Sequence, residues 1–207
     1  TGLDGVFFYI DSLVDQQTIN QMLIGPVLAE IGANPNVKSA SDWIGLLKNK
    51  ALSVGRLKDL HDLNEALAQL MEGNTVIMLQ GSRAAMAAST AGGEKRSVEE
   101  PSSQTVIRGP KESFTENINT NMSLLRRRIK SPKLRVVYKQ IGSQTKTHVA
   151  VVYMKDIAKD GVVQEVMARL DRIDTDAILE SGYIEEFIQD AAFTFFPTIY
   201  NTERPDA

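Results

Sequence analysis

The feature that most restricts the fold is a weak internal repeat. Tyr9, Ile10, Leu13, Ile19 and Met22 match Tyr153, Met154, Ile157, Val163 and Val166 at one constant offset. Trp43, Ile44 and Leu47 echo Tyr183, Ile184 and Phe187 at a slightly shorter one. Around each copy, short apolar runs of β-forming residues give way to helical spacing, which is the pattern of an α/β unit. Two unrelated α/β units can match this far by chance. The reading adopted is an α/β fold of two related lobes with mixed β-sheets joined by a long linker helix. The first lobe is expected at 1–105, the connecting segment and helix at 106–133, and the second lobe at 134–207.

Local signals fill in this frame. Residues 6–10 read as a buried strand. Asp15 opens a helix, Ser41 caps a second and Asp59 a third, with Gly73 just past its end. Residues 75–79 read as a buried strand, and Gln80, Gly81 and Ser82 turn the chain into an antiparallel partner at 84–89. A further strand is expected at 95–99 and a polar connection at 101–109. Leu134–Ile141 and Thr147–Met154 read as a hairpin, followed by helices near 161–172 and 176–189. Residues 51–57 and 193–200 read as extended. Asn201, Thr202 and Pro205 look like a helix start, so the second copy is expected to continue past the end of the sequence as a helix and a strand.

Composition narrows the chemistry. The chain has 207 residues, no cysteine, two histidines and a formal net charge of −3. Disulfides and thiolate nucleophiles are excluded, and the charge speaks against a general nucleic-acid binder. No apolar run approaches the roughly 20 residues of a membrane helix. His61 and His148 read as surface or interface residues. The sequence lacks the nucleophile-elbow, zinc-protease and dinucleotide signatures. Residues 142–147 (GSQTKT) have a faint phosphate-loop look, but they join two strands and read as a hairpin tip. The carboxylates make no metal-ligand spacing. The expectation is therefore a protein that is not an enzyme and has no catalytic residue, metal or cofactor.

The most informative stretch is 108–132, RGPKESFTENINTNMSLLRRRIKSP. Ser113 and Glu116 have the spacing of a capping box. Phe114, Ile118, Met122, Leu125 and Ile129 fall within an arc of roughly 80° on a helix. Arg126, Arg127, Arg128 and Lys130 occupy the last turns, where cations suit the helix dipole. Asparagine is a poor helix former, yet Asn117, Asn119 and Asn121 all lie here. Asn117, Asn121, Leu124 and Arg128 share a strip roughly 60° wide beside the apolar face. Asn117, Asn121 and Arg128 are therefore candidates for ligand binding or inter-lobe contact, with hydrogen bonding to neighbouring backbone as the plainer reading. Arg126, Arg127 and Lys130 are candidates for docking a partner or anionic lipid headgroups, with helix-end complementation as the plainer reading.

This stretch resembles a hallmark run of the A subunits of GerA-type spore germination receptors. Residues 7–15 (FFYIDSLVD), 150–158 (AVVYMKDIA), 169–188 (RLDRIDTDAILESGYIEEFI) and 201–207 (NTERPDA) resemble their family counterparts in order and spacing. The resemblance implies a membrane protein of the dormant spore, placed in the inner membrane. Its soluble N-terminal domain would precede the transmembrane segments, on the spore-core (cytoplasmic) side. It implies a transporter-like B subunit and a lipoprotein C subunit as partners, with self-association a further option, and a complex that senses small nutrients. The family has no assigned catalytic residues. The chain would then transmit the germinant signal, with a small germinant between the lobes as an extension of that role. The alternative is an assembly domain that binds no ligand and docks other subunits.

Overall fold

The computed structural model describes residues 4–34, 39–48, 57–92, 112–190 and 194–207. The chain divides into two compact units, Thr1–Ser97 with Met122–Ser131, and Val98–Asn121 with Pro132–Ala207.

The first unit holds a four-stranded sheet in the order β1 (Gly5–Phe8), β3 (Thr75–Leu79), β4 (Ala85–Ala88), β2 (Lys58–Leu60). Ile77 pairs with Phe7 on one side and Met86 on the other. Because side chains alternate along a strand, this register puts Phe7, Ile77, Leu79 and Met86 on one face and Val76, Met78, Ala85 and Ala87 on the other. Each face is covered. On the first, Ile77, Met86 and Ala88 pack with Leu23 and Leu47 from the helices. On the second, Val76 and Ala87 pack with Leu60 and with Ala66 of α4 (Leu63–Met71).

The helices of this unit begin where side chains satisfy free amides. Asp15 caps α1 (Gln16–Thr18), accepting from Gln17 N at 2.9 Å. The helix continues through a π-helical stretch, Ile19–Ile24, into α2 (Gly25–Ala33). For α3 (Ala40–Leu46) the cap is Ser39, not Ser41, whose amide is the donor at 3.2 Å. For α4 the cap is Asp62, accepting from Glu65 N at 2.8 Å, while Asp59 lies within β2. Gly73 ends α4 with φ of +85°. Its amide bonds Leu70 O at 3.1 Å and that of Asn74 bonds Gln69 O at 3.0 Å, the double closure of a helix by a left-handed residue. Beside it, the fully buried Thr75 and Thr90 hydroxyls satisfy each other at 2.8 Å.

The second unit is built on an antiparallel hairpin of β5 (Leu134–Ile141) and β6 (Thr147–Met154), followed by α6 (Asp160–Asp171) and α7 (Ser181–Ile188). Ile141, Leu170 and Ile178 form its core cluster, with Val149 and Val151 of β6 packed on them. Residues 142–147 are the hairpin tip, as expected. The tip is fastened by Ser143 N to Thr175 O and Gln144 N to Asp176 O, both at 2.9 Å. Arg169 of α6 donates to Ile188 O at 2.6 Å and pairs with Asp190 at 2.6 Å, tying α6 to the end of α7.

The α/β class and the repeated order of strand, helix and helix are observed: β1, α1–α2 and α3 correspond to β6, α6 and α7. Several details are new or differ from expectation. Every strand pairing among the described residues is antiparallel, so the sheets are not mixed there. The link from β2 through α4 to β3 skips one position, and β4 occupies the place between them. The 6–10 run is an edge strand rather than a buried one, with Val6 48% exposed. The residues from 201 form turns rather than a helix, with Thr202 Oγ1 accepting from Arg204 N at 3.1 Å and Arg204 paired to Asp206 at 2.6 Å. The expected strand at 95–99 and the connection at 101–109 lie outside the described residues, as do residues 51–56.

Candidate functional site

The hallmark stretch forms α5 (Ile118–Arg128). It starts later than the expected capping box. Asn117 takes the capping position, its Oδ1 accepting from Asn119 N at 2.9 Å and Thr120 N at 3.3 Å. The residues ahead of it are committed elsewhere. Ser113 Oγ donates to Glu203 O at 3.2 Å, and Phe114 N donates to the same carbonyl at 2.7 Å.

Asn121 closes this arrangement. Its Oδ1 accepts from Thr115 N at 2.7 Å and its Nδ2 donates to Thr115 O at 2.7 Å. The side-chain amide thus pairs with a backbone residue as a neighbouring peptide would. Only a primary amide presents a donor and an acceptor in one plane in this way, which accounts for a poor helix former in the helix. Thr115 Oγ1 also accepts from Asn117 N at 3.3 Å. The structure therefore brings Asn117 and Asn121 together around Thr115. Sequence reasoning did not single out Thr115; its position within the FTEN run was the available signal.

Arg128 is not part of that cluster. Seven residues separate it from Asn121, about 10 Å along a helix. Arg126 and Arg128 are half-buried, and Arg127 and Lys130 are exposed. Arg127 is nevertheless engaged, donating from Nη2 to Gly92 O at 2.9 Å. Gly92 N in turn donates to Leu13 O at 3.1 Å. Met122 and Leu124 are 5% and 3% exposed, whereas Phe114, Ile118, Leu125 and Ile129 are half-buried. Burial is thus centred one step away from the stripe that periodicity marked, and takes in Leu124 of the adjoining strip.

The helix has two differently held ends. Its first turn belongs with the second unit and its remainder with the first. The Thr115 bracket holds one end and the Gly92 carbonyl the other. Among the described residues, no group of three or more His, Cys, Asp or Glu could hold a metal ion, and no helix is long and apolar enough to cross a membrane. At the start of α1, the Asp15 carboxyl is held below its ordinary pKa by hydrogen bonds from the Thr18 hydroxyl and the Gln17 amide.

Comparison with known proteins places these features. The sequence profile of the family described as Bacillus/Clostridium GerA spore germination protein matches residues 2–207. Spore germination protein KA of Bacillus subtilis (strain 168) is 43% identical over 198 residues, covering 96% of this chain and 36% of that protein. Spore germination protein B1 of the same organism is 36% identical over 200 residues, covering 96% of this chain and 40% of that protein. The chain spans well under half the length of these relatives. A solved structure, the N-terminal domain of the A subunit of the Bacillus megaterium spore germinant receptor GerK3, is similar with a TM-score of 0.68 and 34% identity, covering 99% of this chain and 73% of that one. In sequence and fold the chain is the counterpart of that N-terminal domain, and it belongs to the GerA family of spore germination proteins.

Proposed function

We propose that this domain transmits the germinant signal within a membrane receptor complex, and that α5 is the element through which a change in one unit reaches the other. The observation that supports this reading is that both ends of α5 are held: at the start, which the Asn121–Thr115 bracket closes, Ser113 and Phe114 donate to Glu203 O, and at the end Arg127 donates to Gly92 O. A helix shifts as a rigid body more readily than it bends, so fixing both ends makes it a lever. In this reading the full-length protein sits in the spore inner membrane with transporter-like and lipoprotein subunits. Asn117, Asn121 and Arg128 set the geometry of the lever, and Arg126, Arg127 and Lys130 present its cationic end.

The test uses spores carrying the full-length protein at matched abundance, with nutrient-triggered germination rate as the readout. Asn121→Ala and Arg128→Ala are expected to slow germination most, and Arg127→Ala, whose bond to Gly92 is exposed, to slow it measurably but less. Truncating a buried hydrogen-bonding group costs about 1–3 kcal/mol, against about 0.5 kcal/mol for an exposed one. Equal slowing by all three contradicts the proposal, and so does a defect confined to Arg127→Ala.

A further inference from the structure

The face of the first unit's sheet that carries Phe7, Ile77 and Leu79 borders a cavity of about 220 Å³. Its floor is Phe7, Ile77 and Leu79, side chains that the register of β1 and β3 turns to one side. One wall is Ile24, Val27, Leu28 and Ile31, spaced as a single helical stripe. The other is Trp43 and Leu47, one turn apart. Gly5 stands opposite Leu79 in register, and a Cβ there would come 3.0 Å from Leu79 Cδ2.

The floor at Ile77 and the wall of Trp43 and Leu47 belong to the core, while the helical wall is partly exposed. Ile77 and Leu47 are 2% exposed and Trp43 is 5% exposed. At the rim, Leu28 is 61% exposed, so the space communicates with solvent. Apart from the Trp43 indole, no lining side chain carries a hydrogen-bonding group. The helical wall begins in the π-helical stretch Ile19–Ile24, a rare geometry that is frequent at functional sites.

Chemistry selects the occupant. A water in a cavity needs two or more polar partners, and an apolar cavity of about 150 Å³ stays dry and takes up benzene. A zwitterion or a sugar would leave polar groups without partners, at a cost of several kcal/mol in apolar surroundings. We propose that this cavity is a binding site for a small, neutral, apolar molecule slightly larger than benzene. The site is independent of the role given to α5, since none of its lining residues lies on that helix.

The chain has one tryptophan, Trp43, so its emission reports on the cavity wall. Titration with toluene is expected to change that emission saturably and to raise Tm. L-leucine, with a similar apolar bulk attached to a zwitterion, is expected to do neither. Val27→Phe fills the cavity from the wall and Ile31→Phe fills it from the rim. In each variant that retains the wild-type far-UV circular dichroism, toluene affinity is expected to fall roughly tenfold or more, because the contacts it would make are taken. No saturable response to toluene overturns the assignment. So does undiminished affinity in a folded filled variant, or equal binding of L-leucine.

Discussion

The two units carry the same order of strand, helix and helix, yet they build different sheets. In the second, β5 and β6 are neighbours in sequence and pair along their full length. Helices cover one face of the pair. In the first, β1 ends at Phe8 and pairs with β3, which begins at Thr75, a non-local contact whose loop closure must precede any reward. Helices cover both faces of this sheet. The difference teaches that a repeat fixes the order of elements, while strand pairing depends on which apolar faces need covering.

The comparison can be pressed hardest at its left-handed glycines. Gly73 and Gly142 have φ of +85° and +92°. A Cβ on Gly73 would lie 2.7 Å from Leu13 O, a backbone atom, whereas one on Gly142 would first meet the Thr145 hydroxyl at 2.5 Å. The left-handed conformation costs an L-residue about 1–2 kcal/mol, and overpacking adds about 1–3 kcal/mol where neighbours cannot move. Urea unfolding followed by Trp43 emission is expected to show a loss of about 2–4 kcal/mol for Gly73→Ala. Gly142→Ala is expected to shift the same transition less. A larger shift from Gly142→Ala would reverse the ranking of the two units.

A smaller effect is expected from Asn121→Ala, which removes the three hydrogen bonds of a half-buried bracket. The expected loss is about 1–3 kcal/mol in the same measurement. Asn121→Asp should not rescue it, because a carboxylate oxygen would then face the Thr115 carbonyl. Full rescue by Asp would show that the acceptor alone matters.

The smallest effect is the pH dependence of the Asp15 cap. Its pKa in the folded protein lies below the ordinary value of 3.8. The folded state therefore favours the charged form, and the cap contributes its stability above the unfolded value. That contribution is lost as pH falls through the lower, folded pKa. Asp15→Asn removes the titration, so the stability difference between wild type and variant should be constant near neutral pH and change only at acid pH. A change between pH 6 and 8, roughly the range of histidine titration, would assign the dependence to another group.

Legibility in the sequence followed the range of the contacts involved. The β5–β6 hairpin was read with its observed bounds because its signal is local alternation around one turn. The Gly73 closure of α4 was read for the same reason. The edge position of β1 was not legible, since an apolar run looks alike at the centre and the edge of a sheet until its partners are known. The α5 helix was legible as a helix, but its start was not. Ser113 and Glu116 have capping-box spacing, yet the Ser113 hydroxyl turns to Glu203 O, a partner 90 residues away. Asn121 was marked as unusual by composition alone; its bracket on Thr115 needed the folded chain.

Amide hydrogen exchange along α5 tests the lever most directly. The account predicts that Asn121→Ala speeds exchange not only at Ile118–Asn121 but also at the amides of residues 122–128, which belong with the other unit. Faster exchange confined to the first turn, with residues 122–128 protected as in the wild type, would contradict it.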